Sequence, residues 1–393
     1  MNARNSWPMV PIQDFADVVT GGTPSTLVRE YWIGGSIPWL NSGELNKGVV
    51  VSADKFITKA GLESSSARMM PADTVLVALT GATTGISAIL KISACANQSV
   101  TGILPSSAHV PSYLLHYLRS IRSRIVTDSW GGAQKHINQA YVKHLQVPLP
   151  PISEQRRIAA VLDKADALRT KRRAALNQLD TFGQSVFLDM FGDPIQNPHR
   201  FPVKKLVELV DPKRPISYGI LKPGPNQSEG VKYVRVVDMK DGGIALSGIK
   251  RTTEEISNAY RRSLLKQGDL LLSIRGHVGR LAVIPAELTG ANITQDTARL
   301  ALKGTDAMFV RECLRTPGFQ RWMSRHTKGV AVQGINLSDV KLMPIIQPRV
   351  DQQSKLRRII ERLESTRLAH SLSVAACDAL FCSLRDRAFS GQL

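Results

Sequence analysis

Between Pro150 and Asp193, apolar residues recur at gaps of mostly three and four: Ile158, Val161, Ala165, Leu168, Ala175, Leu179, Phe182 and Val186. That spacing keeps them on one stripe of an α-helix and matches the seam of a coiled coil. The interior of the stretch has no proline, and its only glycine is Gly183. Pro150-Pro151 precede the start, Ser153-Glu154 can cap the first turn, and Gly192-Asp193-Pro194 stops the run. The pattern therefore predicts one helix over 150–193, a rod of roughly 60 Å at ~1.5 Å per residue.

The same pattern returns over 349–393, with Leu356, Ile359, Leu363, Leu380 and Leu384 on the stripe. At an offset of 198 positions, Gln155 falls on Gln353, Ile158 on Leu356, Ser185 on Ser383 and Phe191 on Phe389. The register extends upstream, where Ile137-Asn138 meets Ile335-Asn336 and Pro150 meets Pro348. A repeat this long predicts two domain-plus-helix units rather than a solenoid of short repeats. Two matched helices can bury their seams on each other. An antiparallel pair would relate the two preceding domains by a pseudo-twofold axis.

The remaining chain alternates short apolar runs with turn residues. Ile37 to Leu40, Thr74 to Leu79 and Ile86 to Leu90 predict strands, and Pro111 to Val126 predicts a helix. In the second half, Val231 to Met239 and Leu270 to Ile274 answer the strands. Asp306 to Arg325 answers the helix, with a break expected at Pro317-Gly318. The expected fold class is α+β: two mixed domains joined by two long helices. The boundaries are 1–149 and 194–348 for the domains, and 150–193 and 349–393 for the helices.

Charge narrows the partner. The net charge is +19 over 393 residues, which points to a polyanion, with nucleic acid the default. Cys95, Cys313, Cys377 and Cys382 form no CxxC or Cys/His cluster, which speaks against zinc and suits a reducing cytosol. The first residues lack an apolar signal core, so neither export nor a membrane span is expected. The sequence holds no GxxxxGK[ST] loop, no HExxH and no [NDS]PP[YF] adenine-methyltransferase motif. Histidines 109, 116, 136, 144 and 277 are scattered. These absences argue against intrinsic phosphate-loop, zinc-protease or methyl-transfer chemistry.

Loop residues outside the scaffold differ between the halves. Thr80 to Gly85 is answered by Arg275 to Arg280, and Gln134 to Asn138 by Gln333 to Asn336. One architecture carrying two loop sets suits two different recognition tasks. Candidate DNA-contacting residues are Thr80, Thr83, Gln134, Lys135 and His136 in the first half. In the second they are Arg235, Lys240, Arg275, His277, Arg280 and Gln333. For each, the competing reading is a phosphate contact or a solvated loop position. Arg169, Lys171, Arg172 and Arg173 form a basic run on the first long helix. It is either a solvated face or a contact to DNA or an acidic partner.

Several motifs in order carry a family resemblance: GGTPS at Gly21 to Ser25, YWIGGSIPWL at Tyr31 to Leu40 and PLPPISEQRRIAAVLD at Pro148 to Asp163. FGQSVFLDMFGDP at Phe182 to Pro194, RPISYGILKPG at Arg214 to Gly224 and the terminal AFSGQL agree as well. The chain resembles the specificity subunit of type I restriction-modification systems. The resemblance implies two target recognition domains, each reading one half of a split double-stranded DNA target. It implies long helices that pack as an antiparallel coiled coil and dock two methylation subunits, with two restriction subunits joining to form the nuclease. No catalysis is expected on this chain. S-adenosylmethionine, ATP and magnesium would belong to the partners. The alternative from another class is a self-contained DNA methyltransferase or nuclease with an unrecognised site. A coiled-coil adaptor without a DNA role is a third.

Overall fold

The computed structural model describes residues 7–132, 135–240, 242–329 and 333–393. Its packing divides into two units. The first comprises Met1–Arg172 with Ser373–Leu393, and the second Arg173–Leu372. Both are mixed α+β.

In the first unit, fully buried apolar strands make a five-stranded sheet in the order Val18–Thr20, Val100–Ile103, Val75–Ala78, Ser87–Leu90, Val49–Val50. A second sheet sets Ile37–Leu40 between Lys55–Ile57, antiparallel, and Cys95–Ala96, parallel. Met9–Pro11 pairs with Gln146–Pro148, which brings the end of the domain to the start of the first long helix. The second unit follows the same plan. Ser217–Tyr218, Thr297–Leu300, Leu270–Ser273 and Leu281–Val283 form one sheet, and Val231–Val234 lies between Lys250–Thr252 and Asn292–Ile293 in another. Val203–Lys205 pairs with Pro344–Ile346.

The helix expected as one run over Pro111 to Val126 is two, and the one over Asp306 to Arg325 parts beside Pro317, where a break was expected. Pro111–Ser120 and Arg122–Asp128 meet at Ile121, where the Ser120 hydroxyl donates to the Tyr117 carbonyl at 2.6 Å and competes with the helical ladder. Ala307–Arg315 and Pro317–His326 part at Thr316, whose hydroxyl accepts from Phe319 N as an N-cap, with Pro317 in the first helical position.

The long helices run Ile152–Phe191 and Val350–Phe389, forty residues each. Each contributes one half to each unit. A buried glutamine fastens the start of each to its own domain. Gln155 Nε2 donates to Pro150 O at 2.9 Å, while its Oε1 accepts from Val110 N at 2.8 Å. Gln353 Nε2 donates to Pro348 O at 2.9 Å, and its Oε1 accepts from Asp306 N at 3.2 Å. Within the first unit the helix halves run antiparallel. Arg157 Nη2 donates to Leu393 O, and Arg169 lies 3.0 Å from Asp378.

The stripe that is protected differs from the one counted on the sequence. Leu168, Phe182 and Leu380 are 46%, 52% and 56% exposed. Val161 and Ile359 are half-buried, as are Ala165, Leu179, Leu363 and Leu384, whereas Ile158 and Leu356 are fully buried. The buried stripe instead takes Leu162, Gly183 and Phe187 on the first helix, and Ile360 and Phe381 on the second. The reason is that seam positions need not be the most apolar ones. The Arg169 guanidinium lies 4.2 Å from the centre of the Phe381 ring and reaches Asp378, filling a seam place where Leu168 was expected. Gly183 occupies another because a Cβ there would stand 3.3 Å from Ile360 Cδ1. Arg169 therefore leaves the exposed basic run, which keeps Lys171 as an exposed member.

One buried group makes the first unit acid-sensitive. His109 is 4% exposed, with Nδ1 on Ser106 Oγ at 2.9 Å and its ring against Phe15. Burial pushes its pKa down to about 4, against about 6.5 in an unfolded chain. The unfolded state then binds the extra proton first. Stability is present above pH 6.5 and is lost as pH falls toward 4. His116 is pushed the same way by burial, with Asp163 opposing. In denaturant unfolding, His109→Phe should remove about 2 kcal/mol of the loss seen between pH 7 and pH 5. An equal loss in the variant would show that His109 is not the group responsible.

Candidate nucleic-acid interface

Each unit clasps two polar loops together by backbone bonds. In the first unit, Ile137 N donates to Leu79 O at 2.9 Å, Gly81 N donates to Lys135 O at 2.8 Å, and Thr80 bridges His136. The Thr84 hydroxyl also donates to Lys135 O at 2.9 Å, and the Thr83 hydroxyl turns back to Thr80 O. In the second unit, Ile335 N donates to Ile274 O at 2.9 Å, Gly276 N donates to Gln333 O at 2.9 Å, and Arg275 bridges Gly334. Gly81 and Gly276 sit at φ of 69° and 71°, the left-handed region that lets a loop turn here. The two clasps are the same device.

Lys135 and Gln333 are the residues whose carbonyls meet the glycines, so they are structural equivalents. Gln134 lies outside the described residues. The structure brings together Thr80, Thr83, Lys135 and His136 in one unit, and Arg275, His277, Arg280 and Gln333 in the other. Thr80, Lys135, Arg275, His277, Arg280 and Gln333 are exposed. The Arg280 backbone is fixed by its N–H on Ser273 Oγ at 2.7 Å, while its side chain reaches Val236 O at 3.4 Å. Lys240 is exposed and shares a cleft of about 530 Å³ with Arg280, Gln184 and Gln320.

Arg235 has another job. Its guanidinium grips Asp238 through Nη2 at 2.7 Å and Nε at 3.0 Å, and reaches Gly248 O at 3.2 Å. The hydrogen bond to Asp238 raises its pKa, and the side chain is committed to closing a turn. Asn138 is likewise structural, its Oδ1 accepting from Tyr141 N at 2.8 Å as an N-cap. Asn336 stands at the start of Leu337–Lys341 without such a side-chain bond.

Two features were missed on the sequence. Trp130 is exposed and edge-on to His136, with ring centres 4.7 Å apart, so an aromatic face adjoins the first loop pair. Gln98 and Gln295 sit beside the loops. Gln98 Oε1 accepts from the Thr23 hydroxyl, and Gln295 Oε1 accepts from Arg275 Nη1 at 3.3 Å. Their recurrence at matched places was legible, but it reads as scaffold until the partner is seen.

Two α+β units thus carry paired, dissimilar polar loops on a strongly basic chain. Residues 5–178 match the family described as type I restriction modification DNA specificity domain. By that match the chain is similar to the type I restriction-modification specificity subunits. It is similar to the EcoBI specificity subunit of Escherichia coli, 27% identical over 310 residues, spanning 72% of this chain and 65% of that relative. In fold it is similar to the S subunit from M. genitalium, with a TM-score of 0.59 and 14% identity over 99% of this chain and 97% of the other. It also matches a solved chain of a type I R-M system, with a TM-score of 0.61 and 16% identity over the whole of both chains. Among the described residues, no helix is long and apolar enough to cross a membrane.

Proposed function

We propose that this chain supplies the DNA sequence specificity of a type I restriction-modification complex. The domains at 1–149 and 194–348 each read one half of an interrupted double-stranded target. The helices at 150–193 and 349–393 pack as an antiparallel coiled coil, set the length of the unread gap and dock two methylation subunits. Two restriction subunits complete the nuclease. S-adenosylmethionine serves the methylation subunits, ATP and magnesium serve the restriction subunits, and the assembly works in the cytoplasm.

The observation that carries this reading is the repeated clasp with unlike side chains. The backbone geometry is common to both units, whereas Thr80 stands where Arg275 stands and Lys135 where Gln333 stands. A shared structural need would keep the side chains alike, while two recognition tasks would not. Support for the docking role comes from the exposed apolar residues Leu168, Phe182, Leu368, Leu372 and Leu380 on the long helices.

Two experiments test the reading. Purified chain incubated with duplex DNA and labelled S-adenosylmethionine should transfer no methyl group until a methylation subunit is added. Transfer by the chain alone would favour a self-contained methyltransferase. In the second, both helices are lengthened by one turn. A turn adds roughly 5.4 Å against 3.4 Å per base pair, so the gap should grow by one or two base pairs with both half-sites unchanged. Altered half-sites would contradict the ruler.

A further inference from the structure

We propose that Arg275, oriented by Gln295, reads a guanine in the half-site recognised by the second unit. This rests on the reading above and deepens it from a class of ligand to a base.

The backbone under Arg275 is fixed from two sides. Arg275 N lies 3.3 Å from Asp296 O, the preceding Ile274 N donates to the same carbonyl at 2.8 Å, and Gly276 N donates to Gln333 O at 2.9 Å. The side chain leaves this platform exposed, beside a cleft of about 860 Å³ that Tyr218, Asp296 and Lys328 help to line. Two other arginines of the unit are committed. Arg214 pairs with Asp269 at 2.6 Å, and Arg235 with Asp238 at 2.7 Å. Arg275 has no carboxylate partner among the described residues. Among the described residues, its one side-chain bond is to a neutral acceptor, Gln295 Oε1, through Nη1 at 3.3 Å.

That arrangement holds one arm of the fork and leaves the other donors free in a set plane. A phosphate also accepts two parallel donors, but its oxygens take them over many approach angles, so a fixed plane matters less there. Guanine presents O6 and N7 side by side in the major groove and asks for two parallel donors. Supporting such a group by a neighbour is how a geometry-dependent contact is made reliable. The first unit gives the contrast. At the station bridged to the facing loop it places Thr80, and its matching glutamine, Gln98, is engaged by Thr23. The framework is kept and the reading group is exchanged, as expected of a residue that sets specificity. Gln295 is a positioning residue in this account.

The test uses cells carrying the full chain with its methylation subunit, and the methylated motif is sequenced. Wild type should show a G at a position that Arg275→Thr relaxes to several bases, while every other position of the motif persists. Discrimination at that position should fall about ten- to a hundred-fold. Arg275→Lys, which keeps the charge and loses the fork, should relax the same position. Gln295→Ala should weaken it partly, and Gln295→Met, which keeps the bulk and loses the acceptor, should weaken it as much. The inference is overturned if the relaxed position is not a G·C pair. It is also overturned if Arg275→Thr lowers methylation evenly across sites, as loss of a phosphate contact would, or if the motif is unchanged. A wild-type motif that is continuous overturns the underlying reading instead.

Discussion

Replacing Glu312 with alanine should destabilise the second unit by about 3–5 kcal/mol, the cost of leaving a buried charge without its partner. Glu312 is 0% exposed and sits within a cluster of charges. Arg311 Nη2 lies 2.7 Å from Glu312 Oε1, Arg311 Nη1 lies 2.6 Å from Glu364, and Arg315 approaches Glu312 at 3.2 Å. Burial works against the charge on Arg311, but Glu312 and Glu364 outweigh it, and the pKa is raised. Glu364 lies on the second long helix, so the cluster also joins that helix to the domain helix Ala307–Arg315. Removing both charges together, as Arg311→Met with Glu312→Leu, should cost far less than Glu312→Ala alone, because an apolar pair fills the buried space and the ions that remain, Arg315 and Glu364, are partly exposed to solvent. Urea unfolding of the three proteins decides it. A double variant as unstable as the single one would mean that packing, not the stranded charge, is responsible.

Gly21→Ala and Gly219→Ala should each lower the stability of their own unit by about 3 kcal/mol or more, at the upper end for overpacking. A Cβ at Gly219 would stand 1.9 Å from Ile293 O, and one at Gly21 would stand 2.2 Å from Ala96 O. The obstructing atoms are backbone in both cases and cannot rotate aside. Neither can the chain simply back away. Ile220 N donates to Ile293 O at 2.7 Å, and Gly22 N donates to Ala96 O at 2.8 Å. Those carbonyls belong to the short strands paired in parallel with Val231–Val234 and Ile37–Leu40. Hydrogen exchange should localise the loss to the altered unit. Protection unchanged in both variants would show that the backbone accommodates the methyl group.

These two glycines also show what could be read from the sequence. The offset of 198 that aligns the long helices places Gly21 on Gly219. Nothing in GGTPS or ISYGI, however, announces that a carbonyl from a distant strand will press on that Cα. The long helices were legible within two residues at each start, because a periodic pattern without prolines leaves little else to form. The seam was less so. Counting apolar residues selects Leu168, Phe182 and Leu380, yet close helix approach rewards a small residue at Gly183, and a stacked guanidinium can replace a leucine at Arg169. The break at Thr316 was visible from Pro317, whereas the break at Ile121 rests on a serine hydroxyl turning inward and carries no strong signal. Of the candidate contacts, Arg235 could not be told from a free arginine until Asp238 was found beneath it. Residue type marks what a side chain can do; only its neighbours show whether it is already engaged.

The central claim is that two unlike readers on one duplicated frame recognise a DNA target in two pieces. It is tested most directly by sequencing methylated bases genome-wide in cells that express this chain with its methylation subunit. The account predicts a modified motif of two short, dissimilar specific segments separated by a fixed run of unspecified bases. A modified motif that is uninterrupted, or two identical half-sites, would contradict it.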